Sequence, residues 1–132
     1  MKYLLDTCVI SDFVKGNKNV MQIIKSEQPV NLAVSSVTVM ELHYGLKLNP
    51  QRAKKISPII SALLGTIKII PYETHCAEQT AVIRAQLKTL GTPIGPYDIM
   101  IAGTALAHNL VMVTANVKEF KRINILDIEN WQ

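Results

Sequence analysis

Short apolar runs alternate along the chain with longer stretches whose apolar positions recur at helical spacing. Residues 2–5, Lys-Tyr-Leu-Leu, read as a short strand entering a core. Cys8, Val9, Ile10, Phe13 and Val14 group as a short helix, and Val20, Ile23 and Ile24 form the i, i+3, i+4 face of a second, ending near Pro29. Residues 31–35, Asn-Leu-Ala-Val-Ser, return to a strand, and 38–47 to a helix that is apolar around Val39, Met40, Leu42 and Leu46. Asn49-Pro50 opens a fourth helical stretch with Ile56, Ile59, Ile60, Leu63 and Leu64 on one stripe. Pro58 inside it predicts a kink or a division into two helices. Residues 67–70, Ile-Lys-Ile-Ile, make a third strand. Thr74 to Leu90 make a long helix with Cys76, Thr80, Ile83, Leu87 and Leu90 on one face and Gly91 as its C-cap. After a loop of turn formers at 91–97, Ile99 to Leu106 is apolar nearly all round, the mark of a buried helix. Residues 110–114 give a fourth strand and Ile125-Leu126 a fifth.

Strands alternating with helices imply an α/β fold, a central parallel sheet of four to five strands flanked by helices and joined by right-handed crossovers. In such folds ligands bind outside the C-terminal ends of the strands. The 132 residues suit a single domain, 1–132, and 48% apolar against 18% charged residues fits a packed chain. No apolar run is long enough to span a bilayer, and Asp6 breaks the N-terminal run that a signal peptide needs, so a cytoplasmic protein without membrane contact is expected. Cys8 and Cys76 form no Cys-x-x-Cys pair and read as small buried apolar residues rather than a zinc site or a disulfide. The formal net charge of +4 permits attraction to nucleic acid without requiring it.

The acids change the picture more, because several fall just past predicted strands. Asp6 follows the first strand, where it serves equally well as a helix N-cap or as a catalytic carboxylate. Glu41 lies early in the helix after the second strand; Thr38-Val39-Met40-Glu41 matches a capping box, the better reading for Glu41 taken alone, although Ser35 and Ser36 are rival caps. Asp98 opens the buried helix, where the helix dipole favours it but burial demands a partner. Asn116 and Glu119 follow the fourth strand, again at capping spacing. Together these positions share one edge of the sheet. Clustered carboxylates repel unless a cation joins them, and oxygen ligands with no nearby His or Cys point to Mg2+, or to Mn2+ of the same class, rather than zinc. Such a metal activates water for phosphodiester hydrolysis. His43, His75 and His108 are poorly spaced for a general base, and no phosphate-binding glycine loop or Gly-x-Ser-x-Gly elbow is present.

Four segments carry a resemblance over essentially the whole chain: Leu5-Asp6-Thr7-Cys8-Val9-Ile10, Val37 to Gly45 (Val-Thr-Val-Met-Glu-Leu-His-Tyr-Gly), Gly91 to Asp98 (Gly-Thr-Pro-Ile-Gly-Pro-Tyr-Asp) and Val113 to Phe120 (Val-Thr-Ala-Asn-Val-Lys-Glu-Phe). In this order they resemble the PIN-domain ribonucleases, specifically the VapC toxins of type II toxin–antitoxin modules. The resemblance implies a PIN-domain fold, RNA as substrate and Mg2+ as cofactor. It implies Asp6 and Asp98 as the main metal ligands, Glu41 completing an acidic triad, and Thr7 and Thr114 as polar supports. It also implies a homodimer inhibited by a VapB-type antitoxin that inserts a segment into the acidic groove, with operator DNA met only through the antitoxin. The Gly91–Asp98 stretch looks like the subgroup that cuts initiator tRNA in the anticodon loop. One departure is Asn116, where many PIN domains carry a fourth acid; Glu119, one turn on, is the substitute within reach, and the number of metal ions stays open. Lys15, Lys18, Lys118, Lys121 and Arg122 flank the acids as either RNA contacts or plain solvated surface.

Two other readings compete. A phosphoacceptor receiver domain also gathers acids on a parallel sheet, but it needs an acidic pair after the first strand and an Asp after the third. Here Thr7 follows Asp6, and Pro71-Tyr72-Glu73 follows the third strand. A non-catalytic RNA- or protein-binding module with the same fold would use the acids only as caps.

Overall fold

A computed structural model describes residues 1–132. In chain order the elements are β1 (Tyr3–Leu5), α1 (Thr7–Val14), α2 (Lys18–Ser26), β2 (Leu32–Ser35), α3 (Ser36–Leu48), α4 (Pro50–Leu64), β3 (Lys68–Ile70), α5 (Thr74–Leu90), α6 (Pro96–Ala107), β4 (Val111–Val113), α7 (Val117–Phe120) and β5 (Ile128–Glu129), with a 3-10 turn at Pro29–Asn31. No helix is long and apolar enough to cross a membrane.

All five strands are parallel, in the order β3-β2-β1-β4-β5. The central strands β1, β2 and β4 are short and largely buried on both faces, so their side chains alternate between two cores rather than between core and water. Leu4, Ala33 and Met112 face the core covered by α5, α6 and α7; Tyr3, Leu5, Leu32, Val34 and Val113 face the core covered by α1, α2, α3 and α4. Leu4 and Leu5 are both fully buried, each contributing roughly 1.5–3 kcal/mol of apolar transfer. The chain builds β1, β2 and β3 outward on one side, then crosses back to place β4 and β5 on the other. That reversal beside β1 is the crevice where open α/β sheets bind ligands.

Two glycines fix the elements that border this crevice. Gly91 ends α5 in the left-handed region at φ +69°, and Thr92 donates back to the Leu87 carbonyl at 3.0 Å, a Schellman-type stop. Gly103 lies where α6 crosses α5; a Cβ there would collide with Thr80. The close approach seats α6 against the sheet with Ile99, Ile101, Ala102 and Ala105 buried.

Several expectations shift. The fifth strand is not Ile125-Leu126 but Ile128–Glu129, paired in register with Met112 and Val113. Ile125 is exposed and Leu126 plugs the core as an isolated side chain. Pro58 does not divide its segment: α4 is continuous from Pro50 to Leu64. Ile59 and Leu90, read as members of buried stripes, are 41% and 63% exposed. The third helix begins at Ser36 rather than 38 because Ser35 caps it, its hydroxyl accepting from Val37 N at 3.0 Å. This removes the capping-box role from Thr38 and Glu41.

Candidate active site

The site forms because β1 and β4 end side by side. Asp6 N donates to the Val113 carbonyl at 2.9 Å, extending the ladder one residue beyond β1 and bringing Asp6 next to Thr114. Asp6 is 4% exposed and fully engaged. Its Oδ1 accepts from Thr7 N at 2.8 Å, so the cap role is real, while its Oδ2 accepts from Thr114 Oγ1 at 2.8 Å and from Cys8 Sγ at 3.2 Å. Thr114 is itself held, its Oγ1 accepting from Asn116 N at 3.0 Å. Every donor to Asp6 is neutral. A buried carboxylate so fixed keeps its shape but not its charge balance.

Glu41 faces the same edge from the second turn of α3. Thr7 Oγ1 donates to Glu41 Oε1 at 2.7 Å and lies 3.1 Å from Thr38 Oγ1, a fully buried hydroxyl. Thr7 therefore links the acid of β1 to the acid of α3 through one residue. On the opposite side, Asp98 sits in the first turn of α6, half-buried. Burial first, then the charges of Asp6, Glu119 and Glu41, push its carboxyl up to about 7. Each charge named in that shift is negative, so the four acids are one electrostatic unit. Glu119 is steadied by Asn116 Nδ2 at 2.8 Å on Oε2 and lies 3.4 Å from Gly95 N through Oε1.

The structure thus brings Asp6, Glu41, Asp98 and Glu119 together, with Thr7, Thr114 and Asn116 beside them. Asn116 N-caps α7 without a side-chain cap bond; its amide goes to Glu119 instead. Asp12 is elsewhere, accepting from Gln132 Nε2 at 3.0 Å. The histidines are exposed. Of the flanking cations, Arg122 Nη1 donates to the Pro93 carbonyl at 3.1 Å and so tethers the loop before α6. Two contributors escaped the reading of the sequence. Cys8, taken as an apolar filler, is half-buried and donates to Asp6; burial and then the Asp6 charge push its thiol up to about 11, so it stays protonated as a donor. Thr38, taken as a cap, is part of the Thr7–Glu41 contact. For Cys8 the signal was its spacing, two residues after Asp6.

No three His, Cys, Asp or Glu side chains lie close enough to hold a metal ion between them. A hard cation of the Mg2+ kind needs only one or two carboxylates and keeps water in its other positions. The donor set is all oxygen, and the raised Asp98 carboxyl marks a deficit of positive charge at this point. Asp6 and Asp98 fit as the residues to hold such an ion.

The PIN-domain family model matches residues 3–126. The chain is 36% identical over 131 residues to the tRNA(fMet)-specific endonuclease VapC of Salmonella typhimurium, covering 99% of this chain and 98% of that one. It is 33% identical over 135 residues to ribonuclease VapC2 of Rickettsia felis, with the same coverage of 99% and 98%. The fold superimposes on the DNA-bound VapBC structure from Salmonella typhimurium with a TM-score of 0.90 at 36% identity, covering 100% of this chain and 99% of that one. On VapBC2 of Rickettsia felis, bound to a fragment of promoter DNA, the TM-score is 0.91 at 29% identity, and all of both chains is covered. The chain belongs to the PIN-domain family and, within it, to the VapC ribonucleases.

Proposed function

We propose that this chain is a Mg2+-dependent endoribonuclease, the toxin of a type II toxin–antitoxin module, and that its substrate is tRNA, with the anticodon loop of initiator tRNA as the site of cutting. One observation carries the metal dependence: an oxygen-only cluster in which Asp98 is pushed up to about 7 by burial and by three carboxylates. Such a cluster is stable as a set of anions only with a cation. The tRNA assignment is supported by the name of the Salmonella relative and by the Gly91–Asp98 motif.

When bound, Mg2+ polarises a phosphoryl oxygen and makes its bound water a nucleophile near neutral pH. Asp6 and Asp98 would hold it. Thr114 and the Thr7 amide keep Asp6 in one orientation, so its oxygens need no rearrangement on binding. Glu41, fixed by Thr7, orients the attacking water through its other oxygen. Glu119, aligned by Asn116, does the same on the Asp98 side or helps to hold a second ion. Neutralisation falls to a VapB-type antitoxin that covers the acidic edge, and operator DNA is reached only through that partner; that similar chains are solved as DNA-bound VapBC complexes supports a partner of this kind. The active form is a homodimer.

Incubating the purified protein with total tRNA in Mg2+, Mn2+ or EDTA, and mapping new RNA ends, tests the reading. New ends in the initiator tRNA anticodon loop with either metal, and none in EDTA, are expected. Cleavage indifferent to EDTA would refute the metal, and metal-dependent ends confined to another RNA would refute the substrate.

A further inference from the structure

Helix α3 carries a glycine where nothing in the fold asks for one. Gly45 lies in mid-helix, one turn beyond Glu41, and a Cβ built on it would meet nothing within 4 Å. Its φ is not positive, and no backbone crosses it. Glycine is a poorer helix former than alanine, so the position gives up local stability without any return in packing.

What a side chain there would enter is a cleft of about 210 Å3 between α1, α3 and α4. Thr7 and Glu41 line this cleft as well as the acidic edge, so the two are continuous. Leu46 and Ile56 give it an apolar wall, and the exposed cations Lys15 and Arg52 border it. The volume is below the roughly 300–1,000 Å3 of drug-sized pockets, which suits one nucleobase rather than a helix. An arginine fork and a lysine within one cleft match phosphates.

We propose that this cleft is a nucleotide subsite: it takes the base of an RNA residue next to the scissile phosphate, Lys15 and Arg52 hold neighbouring phosphates, and Gly45 lacks a side chain to leave the space open. The proposal rests on the ribonuclease reading of the acidic edge.

The test is steady-state cleavage of a short RNA containing the mapped cut site by the wild type and by Gly45→Leu, Gly45→Ala, Lys15→Gln and Arg52→Gln. Gly45→Leu raises KM roughly tenfold by filling the space the base would occupy, while kcat stays within about twofold. Gly45→Ala raises KM less and raises the melting temperature. Each cation variant raises KM and flattens the salt dependence of log KM by about 0.7 per charge removed, as for single strands. A folded Gly45→Leu protein with wild-type KM overturns the subsite. If that variant does not fold, Arg52→Gln with unchanged KM and salt slope overturns it instead. Normal RNA cleavage by Gly45→Leu combined with lost inhibition by the antitoxin also overturns it, because the cleft then serves a peptide. A wild-type protein that cleaves no RNA overturns the reading of the acidic edge itself, a different result from any of these.

Discussion

Asp6 and Asp98 are both aspartates at the same sheet edge, yet their surroundings are opposite. Asp6 is buried under the thiol of Cys8, the hydroxyl of Thr114 and the amide of Thr7. Asp98 is half-buried and feels the charges of Asp6, Glu119 and Glu41. One corner is a side chain whose geometry is already set by its donors; the other is a carboxyl whose proton affinity is raised by burial and by its acidic neighbours. A cation held between them would meet a pre-set ligand on one side and would displace a proton from Asp98 on the other.

Substitution of the two aspartates breaks the comparison most strongly. Asp6→Asn and Asp98→Asn are each expected to reduce kcat by roughly 1,000-fold or more, the loss of several kcal/mol of charge stabilisation. They differ in stability. Asp6→Asn lowers the melting temperature of the metal-free protein, because it replaces charge-assisted acceptors worth about 1.5–3 kcal/mol each. Asp98→Asn raises it at pH 8, because it removes a repelled charge. Calorimetric melts of both variants without metal check the contrast, and equal shifts would erase it.

Thr114→Val comes next. It removes the donor to Asp6 Oδ2 and the acceptor of Asn116 N together. A loss of about 10–100-fold in metal affinity is expected, the usual size for a residue that orients a ligand. Titration calorimetry against the wild type measures it.

The pH dependence sharpens the difference. Asp98 moves from an unfolded value of 3.8 to about 7 in the fold. Between those values the native state binds a proton that the unfolded chain does not, so this group's stabilisation is complete at low pH and is lost as pH rises through 7. The melting temperature of the metal-free protein should contain a component that falls from pH 5 to pH 8 and is missing in Asp98→Asn. Metal affinity should follow the opposite course, weakening below pH 7 as protons compete for Asp98. The smallest effect is expected for Glu119→Gln. It relieves one of the charges on Asp98, shifts that pH window downward and changes kcat only a few-fold.

Much of the fold was legible because an alternating α/β pattern leaves strong local marks. Gly91 stopped α5 at the predicted residue, and the apolar run from Ile99 became the buried part of α6. The errors have physical sources. Ile125-Leu126 looked like a strand by composition, but pairing with β4 is decided by register, which puts Ile128 opposite Met112. Pro58 lies exposed within α4, which runs through it without a break and packs against α1 and α3. At the site, the four acids were visible as residues following strands. Their cooperation was not, because the charges on Asp98 come from segments 92, 57 and 21 residues away in sequence. Cys8 and Thr38 were read for their commonest local roles, and only the tertiary contact with Asp6 and Thr7 shows what their polar atoms do.

The central claim is that Asp6 and Asp98 hold the cation on which RNA cleavage depends. The most direct measurement is Mn2+ binding by electron paramagnetic resonance, read in the same samples as cleavage of the mapped RNA. Wild-type protein should bind Mn2+ and cleave in proportion to occupancy, and the Asp6→Asn, Asp98→Asn double variant should do neither while remaining folded. Cleavage by that double variant, or by wild-type protein stripped of metal, would contradict the account.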